Sequence, residues 1–136
     1  MIEQTISKMQ KLKLNRMAEC YRNQLSNPQK QHLSFDERMA ILIDYEMDER
    51  KSKKINKLIN SGDFKMKSRL EDIDYSPKRN INKSQIATYS ECHWIRNGHN
   101  LIITGLTGTG KTYLGCALGI RACYYDYKVQ YYRLPR

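Results

Sequence analysis

A glycine-rich run at residues 105–112 has the residue types and the spacing that bind phosphate. It reads Gly105-Leu106-Thr107-Gly108-Thr109-Gly110-Lys111-Thr112, which follows the pattern Gly-x4-Gly-Lys-Thr. The glycines let the backbone curl so that successive amides face one phosphate, helped by the positive end of a following helix. The ammonium of Lys111 would reach the β- and γ-phosphates of a nucleotide, and the hydroxyl of Thr112 would bind Mg²⁺. The run therefore predicts a nucleotide site.

The segments on either side of the run give the context in which such loops occur. Residues 100–104 are apolar and typical of a buried parallel strand, and residues 128–132 are typical of a second strand. A helix is predicted from Lys111 onward. The alternative is a glycine-rich turn that binds nothing, but strand, loop, helix and strand in this order favour a phosphate-binding loop. We therefore predict the start of a parallel α/β core.

Hydrolysis of a bound nucleotide needs a residue that this run does not provide. An acidic side chain at the end of another strand must hold Mg²⁺ and polarise water. Asp126 lies too early in the chain, at the end of the predicted helix, for that role. We therefore assign no catalytic residue, and we expect a core that is truncated after its second strand.

The residues before the loop show helical periodicity. Residues 2–27 are predicted to form one helix, ended by an Asn-Pro pair. A second helix should begin at Ser34, because Ser34 and Glu37 have the spacing of a capping box. It should end at Gly62, since glycine adopts the left-handed conformation of a helix end without cost. Two such helices with one apolar face each indicate an antiparallel hairpin.

A third helix is predicted at residues 84–96, with Trp94 anchoring it against the sheet. The fold class is therefore α/β, in which an all-helical N-terminal domain precedes the start of the phosphate-binding core. The predicted ranges are a helical domain at 1–62, a basic linker with the pre-loop helix at 63–97, and the incomplete core at 98–136.

The charge is strongly basic, with 24 Lys and Arg against 14 Asp and Glu and a net charge of +10. Residues 50–83 hold eleven basic and four acidic residues. Such an excess attracts polyanions, and nucleic acid is the first partner to consider. We predict contact with the phosphate backbone of DNA, and the alternative is a solvated helix face. The residues predicted to make this contact are Lys51, Lys53, Lys54 and Lys57.

Other features bear on the compartment. The sequence has no run of about 18 apolar residues that could span a membrane, and its first residues lack the layout of a secretory signal. We therefore expect a cytoplasmic protein whose four cysteines remain thiols. Cys116 and Cys123 share one helical face, and we predict that both pack in the core.

Four segments, in addition to the loop, resemble the transposition helper ATPases of the IstB-like family, which are close to the DnaC-type helicase loaders. Residues 9–18 (MQKLKLNRMA) resemble the family's opening helix, and residues 33–38 (LSFDER) resemble the start of its second helix. Residues 70–75 (LEDIDY) resemble its linker, and residues 94–101 (WIRNGHNL) its approach to the loop. The resemblance covers nearly the whole chain.

The resemblance implies a small helical domain followed by an AAA+ ATPase core that uses ATP and Mg²⁺. It also implies assembly on DNA, self-association of the full-length protein and an association with the transposase of an insertion element. The family's Walker B strand, sensor and arginine finger have no counterpart in this sequence. The loop has Leu106 and Thr107 where two prolines usually stand, while its glycines and Lys111 are kept.

Two alternatives stay open from the sequence. The chain could belong to a helicase loader that grips a replicative helicase through its N-terminal helices. It could also be a DNA-binding fragment whose nucleotide site does not form, in which case binding to DNA would be indifferent to ATP.

Overall fold

The computed structural model describes residues 1–135, which fold as two compact units. The first is Met1–Lys54, and the second begins at Ile55. The described residues form six α-helices and three 3₁₀ helices, with no β-strand among them. The α-helices are α1 (Ile2–Lys11), α2 (Asn15–Ser26), α3 (Phe35–Ser61), α4 (Lys83–Ser90), α5 (His93–Arg96) and α6 (Lys111–Tyr124). The 3₁₀ helices are Pro28–His32, Leu70–Asp72 and Pro77–Arg79.

The prediction of one helix over residues 2–27 is wrong, because a sharp turn at Lys13 separates α1 from α2. Lys13 has the left-handed conformation (φ 61°), and its N–H donates to the Gln10 carbonyl (2.9 Å). The N–H of Leu14 donates to the Met9 carbonyl (2.9 Å). These bonds close α1 as a Schellman motif, which usually has glycine at the left-handed position. Because lysine stands there, the sequence carries no local signal for the break.

α3 begins at the capping box that the sequence predicts. The N–H of Glu37 donates to Ser34 Oγ (3.2 Å), and the N–H of Ser34 donates to Glu37 Oε2 (3.0 Å). The helix also ends just before Gly62, but the predicted reason is wrong, since the left-handed residue is Asp63 (φ 53°). Gly62 is needed for space instead, because a Cβ atom there would lie 2.6 Å from Cε2 of Phe64.

Two buried polar side chains fasten α2 to α3 within the first unit. Gln24 is 1% exposed, and its Nε2 donates to the Arg38 carbonyl (3.1 Å) while Arg38 Nε donates to Gln24 Oε1 (3.4 Å). Glu46 accepts from the N–H of Met17 in the first turn of α2 (3.1 Å) and from Nε of Arg50 (3.3 Å). A buried polar group without a partner costs about 1–3 kcal/mol, so these bonds fix how the two helices align.

The second unit is built around α6. The buried residues at the centre of this unit belong to the linker, to α4 and to α6 itself. Side chains from these elements and from the residues before the loop pack against them. The central residues are Leu70, Ile86, Ala117 and Leu118, surrounded by Ile73, Tyr75, Ile81, Tyr89, Leu101, Ile103 and Leu114. Cys116 and Cys123 are 1% and 0% exposed, which confirms that they pack in the core. Burial raises the pKa of the Cys123 thiol, so it stays protonated and unreactive.

The helix predicted at residues 84–96 is interrupted. Cys92 has the left-handed conformation (φ 62°) and divides the segment into α4 and α5, again without a glycine to signal it. The indole N–H of Trp94 donates to the Tyr89 carbonyl (3.0 Å). Trp94 lines a cavity of about 210 Å³ together with residues of α6, among them Leu118. Trp94 is therefore placed beside a helix, where we expected a sheet.

The two predicted strands do not form within the described residues. Residues 100–104 and 128–132 have no regular structure, and Ile102 is 87% exposed. The N–H of Tyr131 donates to the Gly62 carbonyl (2.8 Å), which is one bond and not a ladder. A strand needs a neighbouring segment that pairs with its backbone over several residues, and residues 1–135 supply none to either segment. The predicted parallel α/β core is therefore not seen, and the described chain is helical.

Candidate nucleotide-phosphate site

The glycine-rich run forms a tight turn directly before α6. Gly108 (φ 79°) and Gly110 (φ 93°) have positive φ angles that strain any residue with a side chain. The backbone N–H of Thr109 (3.3 Å) and its hydroxyl (2.6 Å) both donate to the Leu106 carbonyl. The run therefore turns back on itself, which is the backbone shape that the pattern predicts.

Lys111 is the first residue of α6 and its side chain folds back over the turn. Its Nζ donates to the Gly105 carbonyl. Gly110 is the N-cap of α6 and has no side chain to bond the amides of the first helical turn. Amides at a helix N-terminus attract anions, and the lysine ammonium is close to them. A phosphate placed here would meet both backbone N–H groups and a positive charge.

The turn borders a cavity of about 570 Å³, within the size range of small-molecule sites. Five residues of the predicted site line it, and three do not. Those in the lining are Gly105, Gly108, Thr109, Gly110 and Lys111. Leu106 and Thr107 are exposed at the outside of the turn, and Thr112 is half-buried in the first turn of α6.

The facing part of the lining comes from the linker, which sequence reasoning did not connect with the loop. It consists of Asp72, Ile73, Asp74, Arg79, Asn80 and Ile81. Nη2 of Arg79 donates to the Thr109 carbonyl (3.1 Å) across 30 positions of sequence, and Nη1 lies 4.0 Å from Oδ2 of Asp74. The basic character of residues 50–83 was the available signal, but nothing in the sequence distinguishes Arg79 from the other cations there.

A second set of contacts ties the linker to the first turns of α6. Ser68 Oγ donates to the Tyr113 carbonyl (2.7 Å), and the Tyr113 hydroxyl donates to the Arg69 carbonyl (3.0 Å). Further along α6, Nη2 of Arg121 lies 2.6 Å from Oε1 of Glu71. The linker is thereby held against the helix that carries Lys111.

Three acidic residues, Glu71, Asp74 and Asp126, are held by other contacts or lie in another element, and we assign none of them as a catalytic base. The hydrogen bond from its own backbone N–H and the Arg121 guanidinium hold the pKa of Glu71 below its usual range, so it is an ion-pair partner. Asp74 accepts from the N–H of Ser76 (2.9 Å) and faces Arg79. Asp126 lies in the turn after α6, with φ 67°.

The four lysines predicted to contact DNA all lie on α3 with exposed side chains. Lys51, Lys53 and Lys54 belong to the first unit, and Lys57 belongs to the second. Nζ of Lys53 lies 3.8 Å from Oε1 of Glu49, one turn earlier on the helix. Exposed pairs of this kind are worth little energy, so Lys53 can exchange this partner for another anion.

None of the helices in residues 1–135 has the length and apolar character to cross a membrane.

Comparison with known proteins finds relatives that are named for ATP binding. Residues 7–136 match the family described as IstB-like ATP binding protein. A protein of Pseudomonas fluorescens, named for ATP binding in the insertion sequence IS1162, is 40% identical over the whole chain and 59% of its own length. Another from Sinorhizobium fredii, y4pL, also named for ATP binding in an insertion sequence, is 31% identical over 97% of the chain and 54% of its own length.

A third relative comes from the insertion sequence IS232 of Bacillus thuringiensis subsp. berliner and is 28% identical over 88% of the chain. This match covers 48% of the relative. The chain thus spans about half the length of the curated relatives it matches.

Proposed function

Because the chain belongs to the family of IstB-like ATP-binding proteins, we propose that it is an ATP-binding helper of insertion-sequence DNA transposition. The observation that carries the proposal is the turn at Gly108 and Gly110, which brings Lys111 and the start of α6 to a cavity of small-molecule size. The relatives named for insertion sequences support transposition over the loading of a replicative helicase.

In the proposed site, different groups of residues 105–112 bind the phosphates and the metal ion. Backbone amides of the turn and of the first residues of α6 donate to the phosphates. The ammonium of Lys111, which donates to the Gly105 carbonyl, would bind β- and γ-phosphate oxygens in its place, because charged oxygens are stronger acceptors. The Thr112 hydroxyl, which lies outside the cavity lining, would supply an oxygen ligand to Mg²⁺.

Hydrolysis is not assigned to any residue of this chain. It needs an acidic ligand at the end of a neighbouring strand, and residues 1–135 contain no strand. We propose that residues 98–136 are the start of an AAA+ ATPase core, that residues 1–62 are a helical domain, and that residues 63–97 link them.

We also propose that the protein associates with DNA and with the transposase of its element. The net charge of +10 and the exposed side chains of Lys51, Lys53, Lys54 and Lys57 support contact with the phosphate backbone. Transposase association rests on the insertion-sequence relatives alone. Such a role belongs in the bacterial cytoplasm, where the DNA is.

The proposed ATP site is tested by calorimetric titration of the chain with ATP and Mg²⁺. Lys111→Ala should lower the affinity for ATP about tenfold or more, because charge-assisted hydrogen bonds to phosphate are lost. Lys128→Ala is the control, since Lys128 is exposed, lies beyond the described end of α6 and lines no part of the cavity.

Circular dichroism of each variant checks that the helices are kept. Equal affinity of the chain and of Lys111→Ala would contradict the proposal. Phosphate release is followed in the same samples and tests whether the bound nucleotide is hydrolysed.

A further inference from the structure

The cavity beside the turn has a second cation facing it, on the linker side. Lys111 approaches from the start of α6, and Arg79 approaches from the 3₁₀ helix Pro77–Arg79. Building on the proposed function, we propose that Arg79 is a phosphate-binding residue of the nucleotide site, in addition to the residues of the glycine-rich run.

The backbone around Arg79 fixes the direction from which its side chain reaches the turn. Its N–H donates to the Ser76 carbonyl (3.0 Å), and the next residue, Asn80, is left-handed (φ 51°) with its N–H on the Pro77 carbonyl (3.3 Å). Ser76 in turn donates its N–H to Asp74 Oδ1 (2.9 Å). The backbone that carries Arg79 is therefore a short and internally bonded segment.

Arg79 approaches the turn closely where the phosphate would lie. Its Nη2 donates to the Thr109 carbonyl (3.1 Å) and would lie 2.9 Å from a Cβ atom placed on Gly110. The two cations therefore contact the turn at different carbonyls, Lys111 at Gly105 and Arg79 at Thr109. A residue larger than glycine at Gly110 would meet the guanidinium itself.

The guanidinium has donors beyond those it uses. Arginine has five N–H donors in a planar fork, and one of them goes to Thr109. Asp74 is 4.0 Å away, an ion-pair distance longer than a hydrogen bond. Phosphate oxygens are stronger acceptors than a backbone carbonyl and match the fork in shape. Arg79 can therefore keep its contact with the turn and donate to phosphate as well.

The charges around the cavity favour a second cation in the site. Asp72 and Asp74 are in the lining and repel a polyphosphate. Lys111 alone would have to offset both carboxylates and the nucleotide. Arg79 adds a second positive charge beside Asp74, which offsets part of this repulsion.

The test compares Arg79→Ala with Lys78→Ala. Lys78 is the preceding residue of the same 3₁₀ helix, is exposed, and is not part of the cavity lining. Both variants remove one positive charge at nearly the same place, so long-range attraction changes equally. Calorimetric titrations with ATP, ADP and adenosine are run on the chain and on both variants, with Lys111→Ala as reference.

We expect Arg79→Ala to lower the affinity for ATP about tenfold and Lys78→Ala to lower it less than about twofold. The affinity for adenosine should be the same in all three proteins, because adenosine has no phosphate. Arg79→Gln, which has a shorter, uncharged side chain with one NH₂ group, is measured as well, so that the result does not depend on one variant folding.

Equal losses in Arg79→Ala and Lys78→Ala would overturn the assignment, since only charge would matter. An equal loss for ATP and adenosine would also overturn it, because Arg79 would then only support the shape of the site. A chain that binds no ATP, or that binds it without needing Lys111, would instead refute the proposed function.

Discussion

Phe64 occupies a space that exists because two neighbouring backbone positions have no side chain. A Cβ atom on Gly62 would lie 2.6 Å from Cε2 of its ring, and a Cβ atom on Gly119 would lie 2.6 Å from Cε1. The ring thus joins the end of α3 to the middle of α6, with Val129 beside both glycines. The two glycines leave room for the ring, so a side chain at either position should press against Phe64.

Gly119→Ala should lower the free energy of unfolding by about 1–2 kcal/mol, because overpacking against Phe64 outweighs the higher helix propensity of alanine. Gly115→Ala is the matched control in the same helix. Its Cβ atom would have Ile103 Cδ1 as nearest neighbour at 4.0 Å, so it should raise stability by up to about 1 kcal/mol. Urea unfolding followed by circular dichroism measures both. Equal stabilisation by the two alanines would show that the Phe64 ring moves aside at no cost in free energy.

Helix boundaries divide into those that local residues specify and those that they do not. The start of α3 could be predicted because Ser34 and Glu37 bond each other's backbone within one turn. The breaks at Lys13 and Cys92 could not, because each is a left-handed residue with a side chain. Their conformations are stabilised by packing and hydrogen bonds that the sequence does not display.

Lys13→Gly should therefore stabilise the first unit by about 0.5–1 kcal/mol. Glycine removes the strain of the left-handed conformation but adds entropy to the unfolded chain, which keeps the gain small. Lys8→Gly, inside α1, should instead lower stability by about 0.5–1 kcal/mol. Chemical denaturation of both variants tests the pair. If both glycines destabilise the chain, the turn between α1 and α2 is not strained.

The glycine-rich turn is specified by residues adjacent in sequence, whereas the contact of the linker with it depends on distant residues. The turn could be predicted because its pattern is contiguous in sequence. Arg79 could not, since its contact with Thr109 joins residues 30 positions apart. The predicted strands failed for a related reason, because a strand depends on a partner segment that local residues do not specify.

The whole molecule has a net charge of +10, and the proposed DNA contact depends on where that charge lies. Each phosphate neutralised contributes about 0.9 to the slope of log affinity against log salt. Replacing Lys51 and Lys54 by Gln should therefore reduce the slope by roughly two, as measured by titrating duplex DNA at several salt concentrations.

The matched control replaces Lys8 and Lys11 by Gln. These lysines are also exposed, also lie in the first unit, and are also three residues apart on one helix. Both pairs remove the same charge, so equal changes of slope would mean that DNA is attracted by net charge with no preferred face.

Trp94 is the only tryptophan of the sequence, and it lies in the second unit. Its indole is hydrogen-bonded to the Tyr89 carbonyl and stands beside α6. When it is excited at the red edge of its absorption, the indole fluoresces without a contribution from tyrosine. Its emission therefore reports on the second unit and not on the first. During heating, its emission and the far-ultraviolet helix signal should coincide if the units melt together. Two separate midpoints would mean that each unit melts on its own, and no attached dye is needed to detect this.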